Sequence, residues 1–133
     1  MTALVVDTSA LAAIIFNEPE RAAFIEAILA ADRALVAIPT VVEARLVTHG
    51  RKGQAGVLAL NDFLALPVFE WVAVGKAEAD AAYAAFVVFG KGGGHAASLN
   101  YGDLFSYALA KVRDLPLLYK GSDFLATDIR RVM

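Results

Sequence analysis

Five acidic residues stand out by where they fall: Asp7, Glu43, Asp103, Asp123 and Asp128. Asp7 ends the apolar run "ALVVD". Glu43 lies in "IPTVVEARLV", Asp103 in "LNYGDLFSYALAKV", and Asp123 and Asp128 in "YKGSDFLATDI". Asp103 heads a predicted helix with almost no polar face, since Leu104, Phe105, Tyr107, Ala108, Leu109 and Val112 surround it, so that helix should be buried. An anion there is costly to desolvate unless something pairs with it. Carboxylates brought together from separate segments repel one another unless cations lie between them. Hard oxygen ligands, in a chain with no cysteine and no well-placed histidine, select Mg²⁺ or Mn²⁺ over zinc. Two such ions about 3.5–4 Å apart activate a water and stabilise the leaving oxygen in phosphodiester hydrolysis. Thr8 or Ser9, next to Asp7, would orient a carboxylate in such a site.

Each acid also has a plainer reading. Thr40-Val-Val-Glu43 fits a capping box, and Asn100-Tyr-Gly-Asp103 puts an acid at the same third helical position. Asp7 before Thr8-Ser9, and Asp123 after Gly121-Ser122, read as cap or turn residues. Caps need no particular place on a fold, whereas a metal site needs all of its ligands at one edge. The elements that carry the acids therefore decide between the readings.

Those elements alternate. "ALVV" (3–6) reads as a buried strand, followed by a helix start at "DTS" and a helix burying Leu11, Ile14 and Ile15. "NEPE" (17–20) starts a second helix, with Asn17 as its cap and Phe24, Ile25, Ile28 and Leu29 as its buried stripe. "ALVAI" (34–38) is the second strand. "TVVEARLVTHG" is a helix ended by Gly50, and another follows from about Gln54 to Leu66 with Val57, Leu58 and Leu60 inward. "FEWVAV" (69–74) is the third strand, 76–90 a helix stopped by Gly90, and 90–98 a loop. The helix from about Gly102 to Arg113 leads to a fourth strand, "PLLYK" (116–120), and "TDIRRV" (127–132) offers a short last one. Strands alternating with helices predict an α/β fold: a parallel, right-handed sheet with helices on both faces. Its ligand crevice lies beyond the carboxyl ends of the strands, near the topological switch point. Asp7, Glu43, Asp123 and Asp128 flank strand ends, and Asp103 reaches the same edge if its helix runs antiparallel to the sheet.

Composition narrows the class. One domain, 1–133, is long enough to bury a core without staples. The absence of cysteine excludes a disulfide framework and a Cys-based zinc site, and a reducing cytoplasm is the expected setting. The N-terminus has no basic leader, and Asp7 interrupts its apolar run, so neither a signal peptide nor a membrane anchor is expected. Hydrophobic residues make up 59% of the chain, with mean hydropathy +0.58. That surplus points to a partner surface as well as a core, with part of it accounted for by an alanine-rich helical chain. A net charge of −2 argues against nucleic-acid binding by a strong positive field, but local phosphate contacts remain open.

Four segments carry a resemblance: "VVDTSALAAIIFNEPE", "IPTVVEARLV", "GKGGGHAASLNYGDLFSYALAK" and "LPLLYKGSDFLATDI". Together they resemble the PIN domain nucleases, and among these the VapC toxins of type II toxin–antitoxin systems. The resemblance spans almost the whole chain in family order. It implies a PIN-like three-layer α/β/α fold with a central parallel sheet of four or five strands. It also implies a Mg²⁺- or Mn²⁺-dependent ribonuclease, a homodimer, and inhibition by a VapB-like antitoxin. Position by position, the family's acids correspond to Asp7, Glu43, Asp103 and Asp123, with Asp128 as a further metal ligand and Thr8 or Ser9 as the hydroxyl beside the first acid. Leu104 stands where many relatives have a cysteine, and "GGG" at 92–94 with Ala96-Ala97 replaces a more basic stretch.

Among the remaining groups, Lys91 and Lys120 are the best candidates for RNA phosphate contact. His49 and His95 are read as solvated or satisfied side chains, and Trp71 as core. Competing functions fit less well. A phospho-receiver domain would place a pair of acids after the first strand and an Asp after the third, yet "DTS" holds one acid and no Asp follows "FEWVAV" until Asp80. A haloacid-dehalogenase-like phosphatase needs an Asp where Ser9 stands. A non-catalytic PIN-like binding module has no reason to keep a full set of repelling acids.

Overall fold

The computed structural model describes residues 2–133. Its elements run β1 (Ala3–Val6), α1 (Thr8–Ile15), α2 (Arg21–Ala30), β2 (Arg33–Ala37), α3 (Ile38–Leu64), β3 (Phe69–Val72), α4 (Lys76–Phe89), α5 (Tyr101–Arg113) and β4 (Leu117–Leu118). The four strands form one parallel sheet in the order β3-β2-β1-β4. The register pairs Val5 with both Leu35 and Leu117, which makes β1 the centre of the sheet. Because side chains alternate along a strand, β1 and β2 feed two cores. Val5, Leu35 and Ala37 pack with α4 and α5 on one face. Leu4, Val6, Ala34 and Val36 pack with α1, α2 and α3 on the other. This is a three-layer α/β/α arrangement, with the parallel strands covered on both faces. The chain moves from β1 outward to β3, then returns to the far side of β1 as β4. The switch point therefore lies between β1 and β4.

Several local expectations change. Asn17 does not cap α2: it takes a left-handed conformation with φ 54° and turns the chain, which asparagine tolerates better than most residues. Helix α2 starts only at Arg21, after Glu20, with no side-chain cap. Helix α3 begins at Ile38, so Thr40 is already inside it and Glu43 lies beyond the first turn. The capping-box reading of Glu43 is thereby removed. The break expected at Gly50 occurs at Gly53, whose φ of 64° and ψ of −162° interrupt α3. Leu29 and Leu58, expected inward, are exposed, and so is Trp71, whose ring lies under the Arg45 guanidinium at 5.4 Å. Strand β4 is shorter than predicted. Residues 127–132 form no full strand, but contribute one parallel bridge from Arg131 to Leu117 that covers the edge of β4.

Candidate active site

Asp7 follows β1 directly and is the N-cap of α1, its side chain accepting from the Ser9 amide. Asp7 Oδ2 accepts from Ser9 N at 3.0 Å and from Ser9 Oγ at 2.7 Å. Ser9 Oγ accepts in turn from the Lys120 amide at 3.0 Å, and the Asp7 amide donates to Leu118 O at 3.0 Å. These bonds tie the exit of β4 to the exit of β1. Asp7 is only 3% exposed, yet its second oxygen, Oδ1, is buried and has no hydrogen-bond partner among the described residues. A buried carboxylate oxygen in this state is costly, and native structures rarely leave one without a reason.

Glu43 reaches back from α3 and accepts a short hydrogen bond from Thr8 Oγ1. Its carboxylate fills the space that a side chain at position 102 would occupy, for a Cβ on Gly102 would collide with Glu43 Oε2. Gly102 was not singled out from sequence. A glycine inside the first turn of a helix gives up about 1 kcal/mol relative to alanine, and that local penalty was the available signal.

Asp103 sits in a complete capping box: its amide donates to Asn100 Oδ1 at 3.0 Å and its Oδ2 accepts from the Asn100 amide at 2.9 Å. The cap does not exhaust its role. Burial pushes the Asp103 carboxyl from the ordinary 3.8 up to about 7 against the lowering effect of the Asn100 amide, and the charges of Asp7, Asp123 and Glu43 add to the rise. The four acids from separated segments thus share one electrostatic neighbourhood at the carboxyl edge of β1 and β4. Asp123, on the exposed loop after β4, is the fourth member.

Two expected members lie elsewhere. Asp128 was expected as a further metal ligand, but its two oxygens are taken by Tyr107 Oη and Lys111 Nζ, each at 2.6 Å. Lys120 was expected to meet RNA phosphate, but its ammonium lies 3.3 Å from both Glu18 and Glu20. Lys91 is exposed on the glycine-rich loop, and His95 Nδ1 accepts from the Ala97 amide at 3.0 Å. His49 is exposed on α3.

The donor set suits a hard divalent cation: carboxylate oxygens, one of them an orphan, with Thr8 and Ser9 bracing two of the acids. Among the described residues no three acids or histidines stand close enough together to enclose an ion.

A family model for the PIN domain matches residues 4–130. The chain belongs to the PIN domain family. Within it, the chain is 44% identical over 129 residues to VapC ribonuclease Mb0640 of Mycobacterium bovis, covering 97% of this chain and 98% of that protein. Ribonuclease VapC30 of Mycobacterium tuberculosis matches to the same extent. In three dimensions this PIN domain resembles the sarcin–ricin loop cleaving toxin VapC20 of Mycobacterium tuberculosis, with a TM-score of 0.79 at 16% identity, over 97% of this chain and 98% of that one. It also resembles VapBC2 of Rickettsia felis, solved with a DNA fragment from its promoter, with a TM-score of 0.74 at 11% identity over 98% and 97% of the two chains. The fold is thus that of the VapC PIN domains.

Proposed function

We propose that this protein is the toxin of a VapBC-type system, a ribonuclease that hydrolyses RNA phosphodiester bonds with Mg²⁺ or Mn²⁺ at the Asp7, Glu43, Asp103 and Asp123 crevice. The observation that carries the reading is the buried, unpartnered Oδ1 of Asp7 beside three further carboxylates. When bound, the divalent cation neutralises charge at the scissile phosphate and makes water a stronger nucleophile. The protein's own part is to hold the acids in place. Ser9 fixes the rotation of Asp7, Thr8 fixes Glu43, and the Asn100 amide fixes Asp103. An ordered carboxylate presents its free oxygen without losing entropy on binding, which is what preorganisation means here. Lys91 is the remaining candidate for phosphate contact, since it is exposed close to α5 in sequence and in no ion pair among the described residues.

The ribonuclease names of the curated relatives support the activity, and the neighbours solved as toxin–antitoxin complexes, from Rickettsia felis and Klebsiella pneumoniae, support a VapB-like antitoxin partner. A homodimer is supported by an apolar row on α3: Ile38, Val42 and Leu46 recur every four residues and are 42%, 48% and 69% exposed. Action on RNA in the cytoplasm belongs to the same proposal; among the described residues no helix is long and apolar enough to cross a membrane. The test is cleavage of RNA by the purified protein with Mg²⁺, Mn²⁺ or EDTA, alongside expression with and without the protein encoded next to it. Divalent-dependent cleavage and growth arrest relieved by the neighbour are expected. Equal cleavage in EDTA would remove the metal from the reading, and no cleavage under any condition would favour a non-catalytic binding module.

A further inference from the structure

Asp128 stands outside the acid crevice, yet its partners tie it to the crevice mechanically. Asp103, Tyr107 and Lys111 are spaced by four along α5 and share one face of the helix. The first belongs to the crevice; the other two hold both oxygens of Asp128 at 2.6 Å. Asp128 in turn ends the loop that carries Asp123. The loop leaves β4 through Gly121, whose φ of 95° suits glycine, and its entry is pinned where the Lys120 amide donates to Ser9 Oγ. Beyond Asp123, Phe124 is buried and its ring packs 5.0 Å from that of Tyr119. The Thr127 hydroxyl donates to Phe124 O at 2.7 Å, and the Asp128 carboxylate closes the loop onto α5. Asp123 is exposed and makes no side-chain hydrogen bond among the described residues, so the loop alone sets where its carboxylate stands.

We infer that Asp128 is a positioning residue: clasped by Tyr107 and Lys111, it locks the Asp123 loop to the same helix that carries Asp103, and so fixes the spacing of two crevice carboxylates. The inference rests on the metal-site reading proposed above. Its distinctive consequence is that a phenol and an amine, neither a metal ligand for Mg²⁺ or Mn²⁺, control cation affinity at a distance.

The test is Mn²⁺ binding to the full-length, RNA-free protein, read from the electron paramagnetic resonance signal of free Mn²⁺, with melting curves in parallel. Tyr107→Phe, which leaves every acid in place, is expected to weaken Mn²⁺ binding about 10-fold, the low end of the loss seen when a group supporting a metal ligand is removed. Asp128→Asn is expected to weaken it by a similar factor. The double variant should bind within about twofold of the weaker single one, because both changes open the same clasp. Weak binding by Asp128→Asn with wild-type binding by Tyr107→Phe would make Asp128 a direct ligand and overturn the inference. Lower melting temperatures with unchanged Mn²⁺ affinity in both variants would overturn it too, leaving the clasp a purely structural tie. Failure of the unmodified protein to bind Mn²⁺ would overturn the metal-site reading itself, and the inference with it.

Discussion

Helix α5 touches two groups of acids that meet opposite conditions. At its first turn, Asp103 is buried beside Asp7, Glu43 and Asp123, and among the described residues none of these four is in an ion pair. One and two turns further on, Tyr107 and Lys111 engage both oxygens of Asp128. The two environments act on the same chemical group in opposite directions. Burial, followed by the neighbouring charges, raises the Asp103 carboxyl to about 7, while the hydrogen bonds from Lys111 and then Tyr107 hold the Asp128 carboxyl below its ordinary value. A paired carboxylate supports the fold. An unpaired, crowded set costs stability, and under the proposed function a bound cation would offset that cost.

The sharpest way to break this contrast is to neutralise one acid without changing its volume. Asp103→Asn should abolish divalent-dependent RNA cleavage, a loss well beyond about 100-fold, while raising the melting temperature of the metal-free protein at pH 8. Full activity in that variant would sink the site assignment. Gly102→Ala comes next. It leaves all four acids in the chain but drives a methyl group into the Glu43 carboxylate, so cleavage should fall about 10–100-fold, measured as kcat/KM on one RNA, with circular dichroism unchanged.

The pH dependence separates the two groups in a single melting series. Asp103 has a raised folded-state pKa, so the folded protein binds its proton more tightly than the unfolded chain does. Its contribution becomes unfavourable as pH rises from about 3.8 and reaches its full cost above about 7. Asp128 has a lowered folded-state pKa, so its stabilisation is present above the ordinary value near 3.8 and disappears as pH falls through the lowered one. The metal-free protein should therefore lose melting temperature between pH 5 and 8, and saturating Mg²⁺ should remove much of that slope by binding the folded state alone. An Asp103→Asn protein that keeps the wild-type slope would assign it to another group. The smallest effect is expected from Tyr107→Phe on stability, about 1 kcal/mol for one hydrogen bond at a half-exposed carboxylate, read from denaturant midpoints at pH 7.

Much of this was open to reading from the chain alone. The alternation of "ALVV", "ALVAI" and "FEWV" with helical segments set the layered parallel fold, because buried strands flanked by crossover helices have few other arrangements. Asp7 at the end of a strand and Asp103 at the start of an apolar helix marked the crevice for the same reason. Other features depended on meetings between segments far apart in sequence. Glu43 reads as a capping residue in the sequence, but its helix starts at Ile38 and places it beyond the first turn. Gly102 has meaning only beside Glu43, 59 positions earlier in the chain. Asp128 looked like a fifth ligand because it follows the same strand as Asp123, and only the approach of Tyr107 and Lys111 removes it from the crevice.

Sequence by itself determined the residue types, their order and the edge of the sheet at which acids would gather, since periodicity and strand-end position are local properties. Tertiary structure decided which acids remain unpaired and which are neutralised. That choice depends on distances of a few ångströms between side chains from separate elements, and electrostatic and hydrogen-bond energies weaken steeply over such distances.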